Sequence, residues 1–237
     1  MRWQICIEGD KFALEYLSAS FTGETLAIEK YEGEYFLSAA GWDSLANVFD
    51  VYVAAADVVV RLNGAARVGI GLLSPIVTTV VYETEADGKK HMWDYAGRVP
   101  IRLPIDADAT KAAAAAARNP TKLLYEASLS NSALASALRV LAIGFVDWVM
   151  LYRLYEIIER DMGGQSSVID QGWITRADLR RFKHTANTPS VAGPLARHGV
   201  DRAVPPRAPM SLGDAQALVG HIFQLWAAMK VPALGGA

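Results

Sequence analysis

The amino-acid sequence predicts an α+β fold: a small antiparallel, β-rich N-terminal domain with one helix, followed by an all-helical C-terminal domain. Two observations carry this prediction. Period-two alternation and turn dipeptides dominate roughly the first hundred residues. From residue 107 onward strand-like runs give way to apolar residues spaced by threes and fours. The predicted domains are residues 1–106, an Ala-rich helix or connector at 107–120, and a helical domain at 121–237.

In "RWQICIEG" the residues Trp3, Ile5 and Ile7 share one face, as in a half-buried strand. "FALEYLSASF" reads as the next strand, and "LAIEKYEGEYFLSA" as a hairpin turning near Glu32-Gly33. "WDSLANVFDVYVAAADVVVRLNG" interrupts the strands. Leu45, Val48, Tyr52, Ala55, Val59 and Leu62 follow helical spacing, with Asp43 or Ser44 as N-cap and Asn63-Gly64 as the stop. "IVTTVVYETEADGKKHMWDYA" then reads as a hairpin around Asp87-Gly88, and "RVPIRL" as an edge strand, because Pro100 has no N–H for a ladder.

The helical half opens with "DADATKAAAAAARNP", helix-prone or a connector, which Pro120 ends. "TKLLYEASL" and "SNSALASALRVLAIG" follow, the latter capped by Ser130 or Asn131. "VDWVMLYRLYEIIERDMGG" is apolar around much of its circumference and reads as a central helix stopped by Gly163-Gly164. A polar loop leads to a short helix capped by Thr175 and halted before Pro189. After a Pro-rich loop, Ser211 with Asp214 three residues on caps the closing helix.

Composition excludes several classes. With 52% hydrophobic and 20% charged residues the chain is globular rather than disordered. No apolar run approaches the ~20 residues of a membrane span, so no membrane partner is expected. The opening "MRWQICIEGD" is no secretory signal, and a cytoplasmic, bacterial-type protein is the expectation. The lone Cys6 has no disulfide partner. No phosphate-binding P-loop, nucleophile elbow, zinc CxxC pair or HExxH helix occurs, so neither cofactor nor metal is expected.

The net charge of −2 hides an asymmetry. Residues 1–110 hold 9 Lys and Arg against 16 Asp and Glu, whereas residues 111–237 hold 14 against 9. The excess is densest around "RRFKHTANTPSVAGPLARHG", residues 180–199, which carries two histidines and few large apolar side chains. A helix over 176–187 sets Arg180 and His184 one turn apart, with Lys183 and Asn187 at matching spacing. Arg197 and His198 arrive from a loop restricted by Pro189, Gly193 and Pro194. Arginine stabilises phosphate charge, histidine moves protons near neutrality and asparagine orients by its amide. Such a set suits binding of RNA or another phosphate-bearing ligand, and metal-free cleavage of a phosphodiester.

The expected catalytic residues are therefore Arg180, His184 and His198. Arg181, Lys183, Asn187 and Arg197 are expected to bind substrate, and Glu156 to support them. The competing reading makes the same segment a structural network, locked onto Glu156 or Asp178, in a ligand-sensing or scaffold protein.

"DWVMLYRLYEIIERDMGG", "LRRFKHTANTPSVAGPLARHG" and "PMSLGDAQALVGHIFQLW" together span a layout that resembles the HEPN superfamily of helical domains. That resemblance implies a metal-independent endoribonuclease of a defence or toxin system, using an arginine and a histidine separated by four to six residues, whereas Arg180 and His184 have three between them. It also implies a site assembled across a homodimer. The aromatic residues Trp148, Tyr152, Tyr155, Phe223 and Trp226 independently suggest a homodimer through the helical half.

Overall fold

A computed structural model describes residues 3–72, 76–85, 90–93, 119–143, 147–202 and 204–234. It has the predicted α+β architecture, with an antiparallel sheet first and helices after it. The chain divides into two compact units, residues 1–125 and 126–237.

The N-terminal unit is built on five strands: β1 (Trp3–Glu8), β2 (Leu26–Tyr31), β3 (Glu34–Ala39), β4 (Val77–Thr84) and β5 (Lys90–Trp93). Their order across the sheet is β2-β3-β1-β4-β5, and every neighbouring pair is antiparallel. β1 lies at the centre, where Trp3, Ile5 and Ile7 are fully buried and Cys6 between them is buried as well. The β2–β3 hairpin turns at Glu32 (φ 50°) and Gly33 (φ 89°), as its sequence predicts. Two successive positive φ values define the turn that matches strand twist, and glycine takes one at no steric cost.

Two helices accompany this sheet, where one was expected. Residues Lys11–Ser20 form α1 instead of a strand. The side chain of Asp10 accepts the Ala13 N–H at 2.9 Å, and Ala13, Leu14, Tyr16 and Leu17 are buried. Steps of three and four along one face outweigh the superficial alternation of "FALEYLSASF". The second helix, α2 (Val48–Ile70), starts later and runs further than its sequence suggests, capped by Asn47 and stopped by left-handed Gly71. Asn63 does not end it. Its buried amide donates to the carbonyl of Ile76 and accepts from the Ile76 N–H, both at 2.8 Å, tying the helix interior to the entry of β4.

Helix α3 (Pro120–Ser130) begins with proline at its first position, where the missing N–H costs nothing. Its first turns belong to the N-terminal unit. Asn119 accepts from Tyr16 Oη at 2.6 Å and donates to Ser20 Oγ at 2.7 Å, while Tyr125 meets Phe21 edge-on at 5.3 Å. A Cβ on Gly69 would lie 2.1 Å from Thr121 Oγ1, so only glycine lets α2 and α3 approach this closely. The Asp87-Gly88 turn, the "RVPIRL" strand and the alanine run of 107–118 lie outside the described residues.

The C-terminal unit is helical: α4 (Ser132–Ala142), α5 (Trp148–Asp161), α6 (Gln165–Asp170), α7 (Arg176–Ala186), α8 (Pro189–Ala192) and α9 (Leu212–Lys230). The expected polar loop at 165–170 is α6, which buries Val168. Asn131, Asp147, Thr175 and Ser211 cap α4, α5, α7 and α9 through their side chains. The central helix is α5, which packs against α4, α6, α7 and α9. At its heart Phe182 is ringed by Trp148 at 6.3 Å, Tyr152 at 5.8 Å and Tyr155 at 6.0 Å. Trp148, Tyr152, Tyr155, Phe223 and Trp226, which suggested self-association, are all buried within this one chain. Their apolar area is used by the unit's own core.

Candidate functional site

Helix α7 divides its side chains by their angular position. Leu179, Phe182, Thr185 and Ala186 turn inward and are buried. Arg176, Arg180, Lys183, His184 and Asn187 recur at steps of three and four on another face. That face lines a cleft of about 770 Å³ within the C-terminal unit. Tyr152 of α5, Gln165 of α6, Thr188 and Arg202 complete much of the wall. Among the described residues, no aspartate or glutamate lines it.

The cations there differ in how far they are spent. Lys183 Nζ donates to both carboxylate oxygens of Glu159, at 3.1 and 2.9 Å, and to Gln165 Oε1 at 3.2 Å. It also lies 4.9 Å from the centre of the Tyr155 ring. Arg176, Arg180 and Arg202 form no ion pair with any described residue. His184 Nε2 lies 2.8 Å from the carbonyl oxygen of Val204. A carbonyl only accepts, so Nε2 carries the proton and Nδ1 is the ring nitrogen left to take another. Asn187 Oδ1 is buried and makes no hydrogen bond.

Four expected site residues thus meet at the cleft: Arg180, Lys183, His184 and Asn187. The others are used differently. Arg181, one residue along the helix and so turned by about 100°, donates from Nε to Ala208 O and from Nη2 to Pro209 O, each at 2.9 Å. Arg197 donates to Glu156 Oε1 at 3.0 Å and lays its guanidinium 4.2 Å from the centre of the Tyr152 ring. Asp178 is held by the cap, accepting from Thr175 Oγ1 at 2.6 Å. His198 does not line the cleft. Slight desolvation, then the charges of Arg202 and Arg197, hold its imidazole below the usual pKa and favour the neutral form.

The intervening loops are tethered by backbone contacts as well. Arg197 N–H donates to Ala186 O at 2.8 Å, and Ser190 N–H to Asp201 Oδ1 at 3.0 Å. Met210 N–H donates to Thr185 Oγ1 at 3.0 Å. This explains how a segment with so little to bury keeps a definite path: hydrogen bonds to α7 replace a hydrophobic anchor.

Sequence reasoning missed Arg176, Arg202, Tyr152 and Gln165. The step from Arg180 back to Arg176 is one turn, a signal present in the sequence. The other three arrive from separate elements and carry no local signature. Among the described residues, no three His, Cys, Asp or Glu side chains gather as a metal-ligand set. No family model matches the chain, and neither the curated proteins nor the solved structures contain a significant match.

Proposed function

We propose that the C-terminal unit binds RNA, engaging phosphate through Arg176, Arg180 and Arg202. The observation that supports this reading is a single cleft lined by three arginines without carboxylate partners. Unpaired guanidinium groups that share one cleft repel, and an anionic ligand relieves that repulsion while releasing its own counterions. The test is fluorescence anisotropy of a labelled single-stranded RNA across a salt series. Binding weakens steeply with salt, and Arg180→Ala lowers the slope of log K against log salt by about one. A salt-independent or absent interaction in both proteins removes the proposal.

Metal-independent cleavage, in the manner of a HEPN-like enzyme, is the catalytic form of this reading. Arg180 would hold the phosphate and Nδ1 of His184 would serve as base or acid. His198, away from the lining, argues for a one-histidine arrangement. RNA incubated in EDTA with wild type and with His184→Ala distinguishes the two forms. Fragments with wild type alone support cleavage, and intact RNA in both leaves binding only.

A structural reading of the remaining residues is favoured by the Arg197–Glu156 pair and the Arg181 contacts. The Arg197 pair is partly exposed, so its ionic contribution is discounted, and the cation–π contact with Tyr152 adds about 0.5–1 kcal/mol. Arg197→Ala is expected to lower Tm by about 2–4 °C, while Arg180→Ala leaves it unchanged.

A further inference from the structure

We propose that the group this cleft receives is a terminal phosphate, a phosphomonoester, rather than an internal phosphodiester. This deepens the phosphate-binding reading above and rests on it. The first argument is charge. Lys183 is balanced by Glu159, so Arg176, Arg180 and Arg202 are the uncompensated cations of the lining. An internal diester brings one negative charge and two free oxygens. A monoester carries about −1.5 to −2 near neutrality, with three strong acceptor oxygens. The richer acceptor matches three guanidiniums.

The second argument is the absence of a platform for bases. Sequence-tolerant sites along single strands combine a cationic groove with open aromatic faces. Among the described residues the ring side chains lining this cleft are Tyr152 and His184, and the His184 imidazole is held through Nε2 by the Val204 carbonyl. The Tyr152 side chain is buried, with Phe182 stacked at 5.8 Å and 24° and the Arg197 guanidinium 4.2 Å from the ring centre. No base stacks there without displacing one of them. The polar lining is also dominated by donors. Because Asn187 Oδ1 is buried, the amide NH2 is the part of that side chain left to meet a ligand. Recognition therefore falls on a phosphorylated end, whether of an oligonucleotide or of a free nucleotide.

The experiment compares one short oligoribonucleotide with a 5′-phosphate, a 3′-phosphate or hydroxyls at both ends, beside adenosine 5′-monophosphate, by calorimetry with the full chain. A phosphorylated oligonucleotide is expected to bind at least about tenfold more tightly than the hydroxyl-ended one, the effect of added charge-assisted hydrogen bonds. Arg202→Gln and Arg180→Gln, both at exposed positions, abolish that preference. Equal affinity for phosphorylated and hydroxyl ends overturns the inference and leaves RNA binding standing. Binding of the monophosphate without any of the three oligonucleotides supports a terminal-phosphate site and removes RNA as its ligand. If nothing binds, both readings fall.

Discussion

Tyr155 shows how one atom can work against the fold that holds it. Its side chain is fully buried beside Phe182, yet its hydroxyl has no hydrogen-bond partner. Burial first, then the nearby Glu159 and Tyr152, push its phenol far above the ordinary pKa, so it stays a neutral, unsatisfied donor. Leaving a buried polar group unpaired costs about 1–3 kcal/mol, which the apolar ring offsets by packing. Tyr155→Phe keeps the ring and removes the orphan. It should leave stability unchanged or raise it by about 1 kcal/mol in urea unfolding, and a loss above that would mean the hydroxyl has a partner in solution. The same scale explains the split fates of neighbouring arginines. Arg180 and Arg181 are chemically identical, and one residue of helical rotation sends the first to the cleft and the second to two loop carbonyls.

At the scale of elements, Asp161 at the end of α5 joins that helix to α9. It accepts from Trp226 Nε1 at 2.8 Å and pairs with Lys230 Nζ at 2.6 Å. Burial pushes its pKa up, but the Lys230 and Trp226 hydrogen bonds together outweigh burial and hold it below the usual value. A depressed folded pKa contributes stability above the unfolded value of about 4, and that stability fades as pH falls through the folded pKa. Asp161→Asn should therefore cost about 1–2 kcal/mol near pH 7 and progressively less below about pH 4. Chemical unfolding of both proteins from pH 3 to 7 checks this, and a constant difference across the range would contradict it.

Elements with strong local signals were legible beforehand. The β2–β3 turn, the Asn131, Thr175 and Ser211 caps and the buried stripe of α5 all follow from side chains within one turn of each other. The misread elements depend on distant partners. Asn63 looks like a stop until Ile76 supplies both halves of its hydrogen bonding, and α6 has only Val168 fully buried to mark it. The site followed the same rule. Arg180, Lys183, His184 and Asn187 share a helix face and could be grouped by spacing, but Arg202 and Tyr152 come from elsewhere in the unit.

For the whole molecule, the described lining of the cleft falls within one compact unit, residues 126–237. The aromatic side chains that suggested a homodimer are consumed by the chain's own core. Calorimetric titration should therefore give one ligand per 25.6 kDa chain, whatever mass light scattering reports for the particle. One ligand per two chains would instead indicate a composite site on a twofold axis, as the HEPN resemblance implies. The unit that lines the cleft belongs to the half of the chain in which Lys and Arg outnumber Asp and Glu.

The Tyr152 ring packs against the buried Phe182 and against the Arg197 guanidinium, and it also forms part of the cleft wall. A single ring is thus both a layer of the interior and part of the wall that the proposed ligand would meet. On the proposed function, stability and recognition share it and cannot be tuned independently. A substitution at Phe182 made to tighten the core tilts that wall, and one at Arg197 made to alter the wall uncovers the core.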